Sequence, residues 1–261
     1  MRRFVFIVFL VFPVLGLAQG VPIGAGALSS IFSSKLAFQP AVNSTAPLSV
    51  AQIVDGAGYT TQIQVVNLDT GPVNYSLQFW DDSGNPLQLT LASGTASGNL
   101  PVGGAAFATT PGTATALTQG WGQATGSGRI GVLTIFKLSV AGRPDSEGTV
   151  TGIQSGNRVF LPFDNTSGYV TGMAVANTST QTLSITLHFT TDSGAASQGS
   201  ISLPPHAHVA FALTAPPASV SLPPLAGLRG SIELDASTPD IAVVGLRFSP
   251  TNSFTSLGAF Q

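Results

Sequence analysis

One stretch of this chain is written twice. Tyr59 to Gly84 lies on Tyr169 to Gly194 without a gap at a constant offset of 110, and 10 of the 26 pairs are identical. The identities run from Tyr59/Tyr169 and Asn67/Asn177 through Leu77/Leu187 and Phe79/Phe189 to Asp82-Ser83-Gly84 on Asp192-Ser193-Gly194. They mix core types with turn types, so what repeats is a supersecondary unit rather than a single motif. A chain duplicated at this length must fold as two similar bodies.

The period of each copy gives its class. In Tyr75-Ser76-Leu77-Gln78-Phe79 and in Ile185-Thr186-Leu187-His188-Phe189 the apolar residues alternate, which sets them on one face of a half-buried strand. Gly, Pro and β-branched residues recur too often for a helical window. Short polar stretches such as Asp69-Thr70-Gly71-Pro72 have hairpin spacing, and Asp82-Ser83-Gly84-Asn85 carries turn chemistry. Gly120 to Thr125 with Arg129 to Lys137, and Arg229 to Asp235 with Asp240 to Phe248, read as closing hairpins. Leu100-Pro101 leads to Ala106-Phe107-Ala108 as Leu203-Pro204 leads to Ala210-Phe211-Ala212, one residue longer.

The expected fold is all-β: two tandem antiparallel β-sandwich domains, immunoglobulin-like or jelly-roll-like, related by internal duplication. The boundaries read as a signal peptide at 1–18, an Ala/Gly/Ser/Pro-rich leader at 19–47, repeat 1 at 48–141, a linker at 142–157 and repeat 2 at 158–261. Thr149-Val150-Thr151 gives the linker some strand propensity.

The first residues have the form of an export signal: Arg2 and Arg3, an apolar run from Phe4 to Leu15, then small residues ending at Ala18. The run is shorter than a bilayer span of roughly 20 residues, so no transmembrane helix is expected in the mature chain. The expected location is secreted or at the cell surface. There is no cysteine, so burial alone must hold the fold. Without Arg2 and Arg3 the chain has seven basic residues against eleven acidic, which disfavours nucleic acid as a partner.

Three stretches carry a resemblance: Asp55-Gly56-Ala57-Gly58-Tyr59, Arg158 to Asn165, and Gly245-Leu246-Arg247-Phe248. In them the chain resembles uncharacterised secreted bacterial proteins built of tandem β-sandwich repeats. The resemblance implies an all-β exported protein and brings no activity or site with it.

Candidate chemistry is sparse. His206 and His208, two apart, would share a strand face and could offer two imidazoles to a metal, though no third ligand lies nearby. Trp80 and Trp121 could stack on sugar rings if they stood exposed, and Trp80 lies off the Leu77/Phe79 face, either exposed or against the neighbouring unit. Asp55 and Asp164 each precede a Gly-containing turn and read as Asx-turns. Arg247, in an apolar strand, is expected to face outward or to pair with Asp240 or Glu233. No nucleophile elbow or opposed carboxylate pair appears, so no catalytic residue and no cofactor are assigned. The expected function is a non-catalytic structural or adhesion protein whose partner is a protein or glycan surface. The alternative is a carbohydrate-binding module using Trp80 or Trp121.

Overall fold

The computed structural model describes residues 45–251 and 253–261. The signal at 1–18 and nearly all of the 19–47 leader fall outside them. The described chain is all-β, with no helix, and its strands lie in four antiparallel sheets.

The first half contributes β1 (Leu48–Asp55), β2 (Tyr59–Asn67), β3 (Val73–Asp81), β4 (Ser97–Leu100), β5 (Ala105–Thr109), β6 (Thr118–Gly126), β7 (Ile130–Leu138) and β8 (Ser146–Thr151). The second half contributes β9 (Arg158–Asp164), β10 (Val170–Asn177), β11 (Leu183–Thr191), β12 (Ala196–Leu203), β13 (His208–Ala212) and β14 (Val220–Ser221). It ends with β15 (Arg229–Ala236), β16 (Ile241–Phe248) and β17 (Phe254–Leu257). Sheet I has the order β1-β6-β3-β4 and sheet II the order β5-β2-β7-β8. Sheet III is β14-β12-β11-β15-β9 and sheet IV is β13-β10-β16-β17. Apart from the short β14, the two halves have the same strand order. β8 arises within the 142–157 segment and pairs with β7.

Alternation places the cores. Buried and half-buried positions take strict turns along β7, and buried and exposed ones along most of β11. One core gathers Ile63 and Val65 from sheet II against Leu77, Phe79 and Ile53 from sheet I. The other gathers Met173, Val175 and Val243 from sheet IV against Leu187, Phe189 and Leu234 from sheet III.

The expected hairpins between β2 and β3, between β6 and β7, and at their second-half equivalents do not form. Each pair is split between facing sheets. The reason lies at the corner after β2, where the buried Asn67 amide donates to the carbonyls of Gly71, Leu100 and Pro101 at 2.9–3.1 Å. These bonds fasten the corner to the end of β4 and turn the chain onto the other sheet. Asn177 makes the same three bonds, to Gln181, Leu203 and Pro204. Three of the pairs in each half are nested, β1 with β6, β2 with β5 and β3 with β4, then β9 with β15, β10 with β13 and β11 with β12.

Two alignments drawn from the sequence are corrected by register. Ile63 faces Ala108 and Met173 faces Phe211, so no residue is inserted before β13 and Phe107 corresponds to Ala210. The Thr61 side chain bridges Val54 N and O, and Thr171 bridges Asp164 N and O in the same way. Asp164 therefore occupies the place of Val54, and Asn165 that of Asp55. Asp164 accepts from Thr166 N, an Asx-turn, whereas Asp55 accepts from the distant Gly112 N at 2.7 Å.

Candidate functional site at the junction of the two halves

The described residues form one compact unit, and two further apolar clusters join its halves. In one, Ala51 and Trp121 of the first half meet Ala174, Ala176, Ala242 and Val244 of the second. In the other, Val54, Phe136 and Leu138 meet Phe254, with Leu246 and Phe248 beside it. Sheet IV thus buries both faces, the inner one in its own core and the outer one under the first half. This explains the near-continuous burial along β10 and β16.

All four residues singled out in the sequence converge on this junction. Trp80 on β3 lies directly opposite Trp121 on β6, and the two indoles stack at 4.4 Å between centroids. The His206 ring stacks on Trp80 at 5.2 Å, and the Trp121 indole N–H donates to the His206 carbonyl at 2.7 Å. Trp121 is fully buried, so it has no face free for a sugar ring. Trp80 packs against the neighbouring half, as one of its two sequence readings required.

His206 and His208 both reach the first half, one on Trp80 and the other on Asp82, two residues further along the chain. His206 stands in the turn before β13 with φ near 56°, in the left-handed region. The corresponding turn of the first half holds Gly103 at φ 66°, and both turns are closed by the same bond, Gly104 N to Pro101 O and Ala207 N to Pro204 O. A histidine is thus held where glycine is at ease, and its stacking contacts offset the strain. His208 opens β13, with no side-chain exposure. Its Nδ1 lies 2.8 Å from Asp82 Oδ1 and its Nε2 lies 2.9 Å from Gln52 Oε1, while its backbone N–H donates to the Asp82 carbonyl. With both ring nitrogens engaged, His208 has no free lone pair for a metal. Among the described residues no group of three His, Asp or Glu is placed to hold one.

Gly84 closes this side of the junction. The turn after β3 is organised by Asp81, whose carboxylate accepts from Ser83 N and Asn85 N, and Gly84 takes φ 86°. A Cβ there would overlap the Pro205 carbonyl of the second half. Asp82 then projects across to His208 and also accepts from Gln119 Nε2.

Arg247 finds neither expected partner. It bonds Asp164, with Nε at 3.0 Å from Oδ2, and its guanidinium lies 3.4 Å from the Tyr169 ring centroid. Glu233 is taken by Arg158. The Asp164 carboxyl is held down at about 2, chiefly by hydrogen bonds from Thr166, with Arg247 adding to them and burial opposing.

Sequence reasoning missed Gln52, Gly84 and the cross-junction role of Asp82. The signal that reaches them is asymmetry, since Trp80, Trp121, His206 and His208 all lack a counterpart in the other copy. Among known proteins, no family model, curated protein or solved structure matches this chain.

Proposed function

We propose that this is a non-catalytic exported protein of the bacterial cell surface or extracellular space, built from two duplicated β-sandwiches that act as one rigid structural or adhesion element. Nested pairing of β1 with β6, β2 with β5 and β3 with β4 is a long hairpin rolled up, which favours the jelly-roll-like form over the immunoglobulin-like one. The observation that carries the functional reading is where the asymmetric residues go. Trp80, Trp121, His206 and His208 are spent on fastening the two halves together, not on a reactive centre. A fastened pair presents its outer sheets and loops at a fixed spacing, which suits a spacer or an adhesive surface.

The test is fractionation of the producing cell, with protease added outside and a glycan array run on the purified mature chain. Recovery in the surface or medium fraction, with the N-terminus trimmed near Ala18, is the expected result. Recovery in the cytosol with an intact N-terminus would sink the proposal. Saturable sugar binding that disappears in Trp80→Ala would replace adhesion with the carbohydrate-binding alternative.

A further inference from the structure

Beside the stacked rings the junction is not filled. A cavity of about 290 Å³ opens between the halves, walled by Phe136 of the first half and by Met173, Phe211, Leu246, Phe248 and Phe254 of the second. Its size follows from the small residues on the outer face of sheet IV, since Gly172, Ala174 and Ala212 leave space that larger side chains would occupy. The lining also includes Leu117, which is exposed, and the polar side chains of Gln52, which is buried, Gln119 and Tyr59. No charged side chain lines it. The half-buried Tyr59 phenol is pushed up by desolvation, as expected beside an apolar wall, with the Arg143 charge opposing.

We propose that this cavity is a binding site for a small uncharged apolar molecule, with an alkyl or fused aromatic body of about ten carbons and one hydrogen-bonding end. An apolar cavity of about 150 Å³ holds one benzene ring, so a volume about twice that accepts two rings or a medium alkyl chain. The apolar body lies between Phe136 and Phe248, and the polar end meets Gln52 Nε2 or Gln119 Oε1, the amide atoms that His208 and Asp82 leave open. A charged end would lose its hydration and find no counter-ion among the lining residues, since Arg143, whose charge reaches Tyr59, is not one of them. Pockets of this kind gather where two bodies meet and carry few polar groups, which fix orientation. The site goes beyond the surface role proposed above and does not depend on it.

The experiment is a fluorescence titration of the purified mature protein with N-phenyl-1-naphthylamine, an uncharged two-ring probe, with 1-decanol and decanoate as competitors. The expected result is saturable uptake of one probe per chain with a blue shift, displaced by decanol at concentrations at least tenfold lower than by decanoate. Ala212→Phe, which fills the space from β13, should weaken uptake at least tenfold. Leu117→Trp, which fills the lining from an exposed loop position and leaves the sheets untouched, should do the same if the first variant fails to fold. Absence of saturable uptake would overturn the site, as would uptake that is unchanged in folded variants. Displacement by decanoate as readily as by decanol would overturn the neutral-ligand class.

Discussion

Sheet II and sheet IV have the same strand order and opposite outer faces. Where sheet II turns Gln62 and Gln64 outward, hydrogen-bonded to each other and to Thr109, sheet IV has Gly172 and Ala174. Where Phe107 stands half exposed, Ala210 lies against the junction. The reverse holds on the surface that docks onto sheet IV. Trp80 and Trp121 correspond to Thr190 and Ser231, as the paired registers of β3 with β6 and β11 with β15 require. Val54 and Phe136 correspond to Asp164 and Arg247. One half therefore has an apolar docking surface whose counterpart is polar and ion-paired, and the other has an apolar seat whose counterpart is polar. The contact is head-to-tail, and the polar counterparts cap it at both ends. Repeat arrays need such caps to stop at a fixed length.

The largest break in this comparison should come from Trp121→Ala. Truncating a fully buried Trp costs about 4 kcal/mol, from lost burial and from the cavity left behind. At the matching place Ser231 is exposed, and Ser231→Ala should stay within about 0.5 kcal/mol. Urea unfolding of both variants measures the difference. Equal costs would mean that the two surfaces are interchangeable and the caps illusory.

A smaller effect separates two glycines with almost the same backbone. Gly84 and Gly194 have φ of 86° and 83°, so alanine strains either one by about 1 kcal/mol. At Gly194 nothing lies within reach of an added Cβ, whereas at Gly84 the Pro205 carbonyl does. Gly84→Ala should therefore cost about 1–3 kcal/mol more than Gly194→Ala, because the junction must shift to admit the methyl group. Thermal melts of the two variants, side by side, give the comparison. A cost at Gly84 no larger than at Gly194 would show that the halves do not press together at this turn.

Much of this was legible before the structure. Alternation in Tyr75 to Phe79 and in Ile185 to Phe189 marks strands because a buried sheet face imposes a period of two. Sheet partnership was not legible, because the corner after β2 is made by Asn67 reaching the end of β4, 33 and 34 residues on. A local polar stretch looks the same whether it folds back or crosses over. Aligning Asp55 with Asp164 by residue type also failed, since the true equivalence runs through the Thr61 and Thr171 hydroxyls. The four candidate site residues stand out by their chemistry, as an imidazole pair and the two indoles. Their convergence was not visible, because Trp121 and His206 meet across 85 residues of chain.

The finest test of the caps uses pH. The Asp164 carboxyl ionises at about 2 in the folded protein, against 3.8 unperturbed. A carboxyl lowered by folding stabilises the native state fully above its unfolded value, and that contribution fades as pH falls toward the folded one. Stability should accordingly drop between about pH 4 and pH 2, by an amount on the order of 1 kcal/mol once partial exposure is allowed for. Val54, in the same place of the first half, cannot titrate, so this share of the drop has no counterpart there, although Asp69 and Asp81 of the first half are also lowered and add their own. Asp164→Asn should make the acid limb of a plot of unfolding midpoint against pH shallower, while leaving the stacked Trp80–Trp121 fluorescence unchanged. An acid limb as steep in this variant as in the parent would assign the loss to other carboxylates, and Asp164 with Arg247 would then be a polar cap without a measurable share of stability.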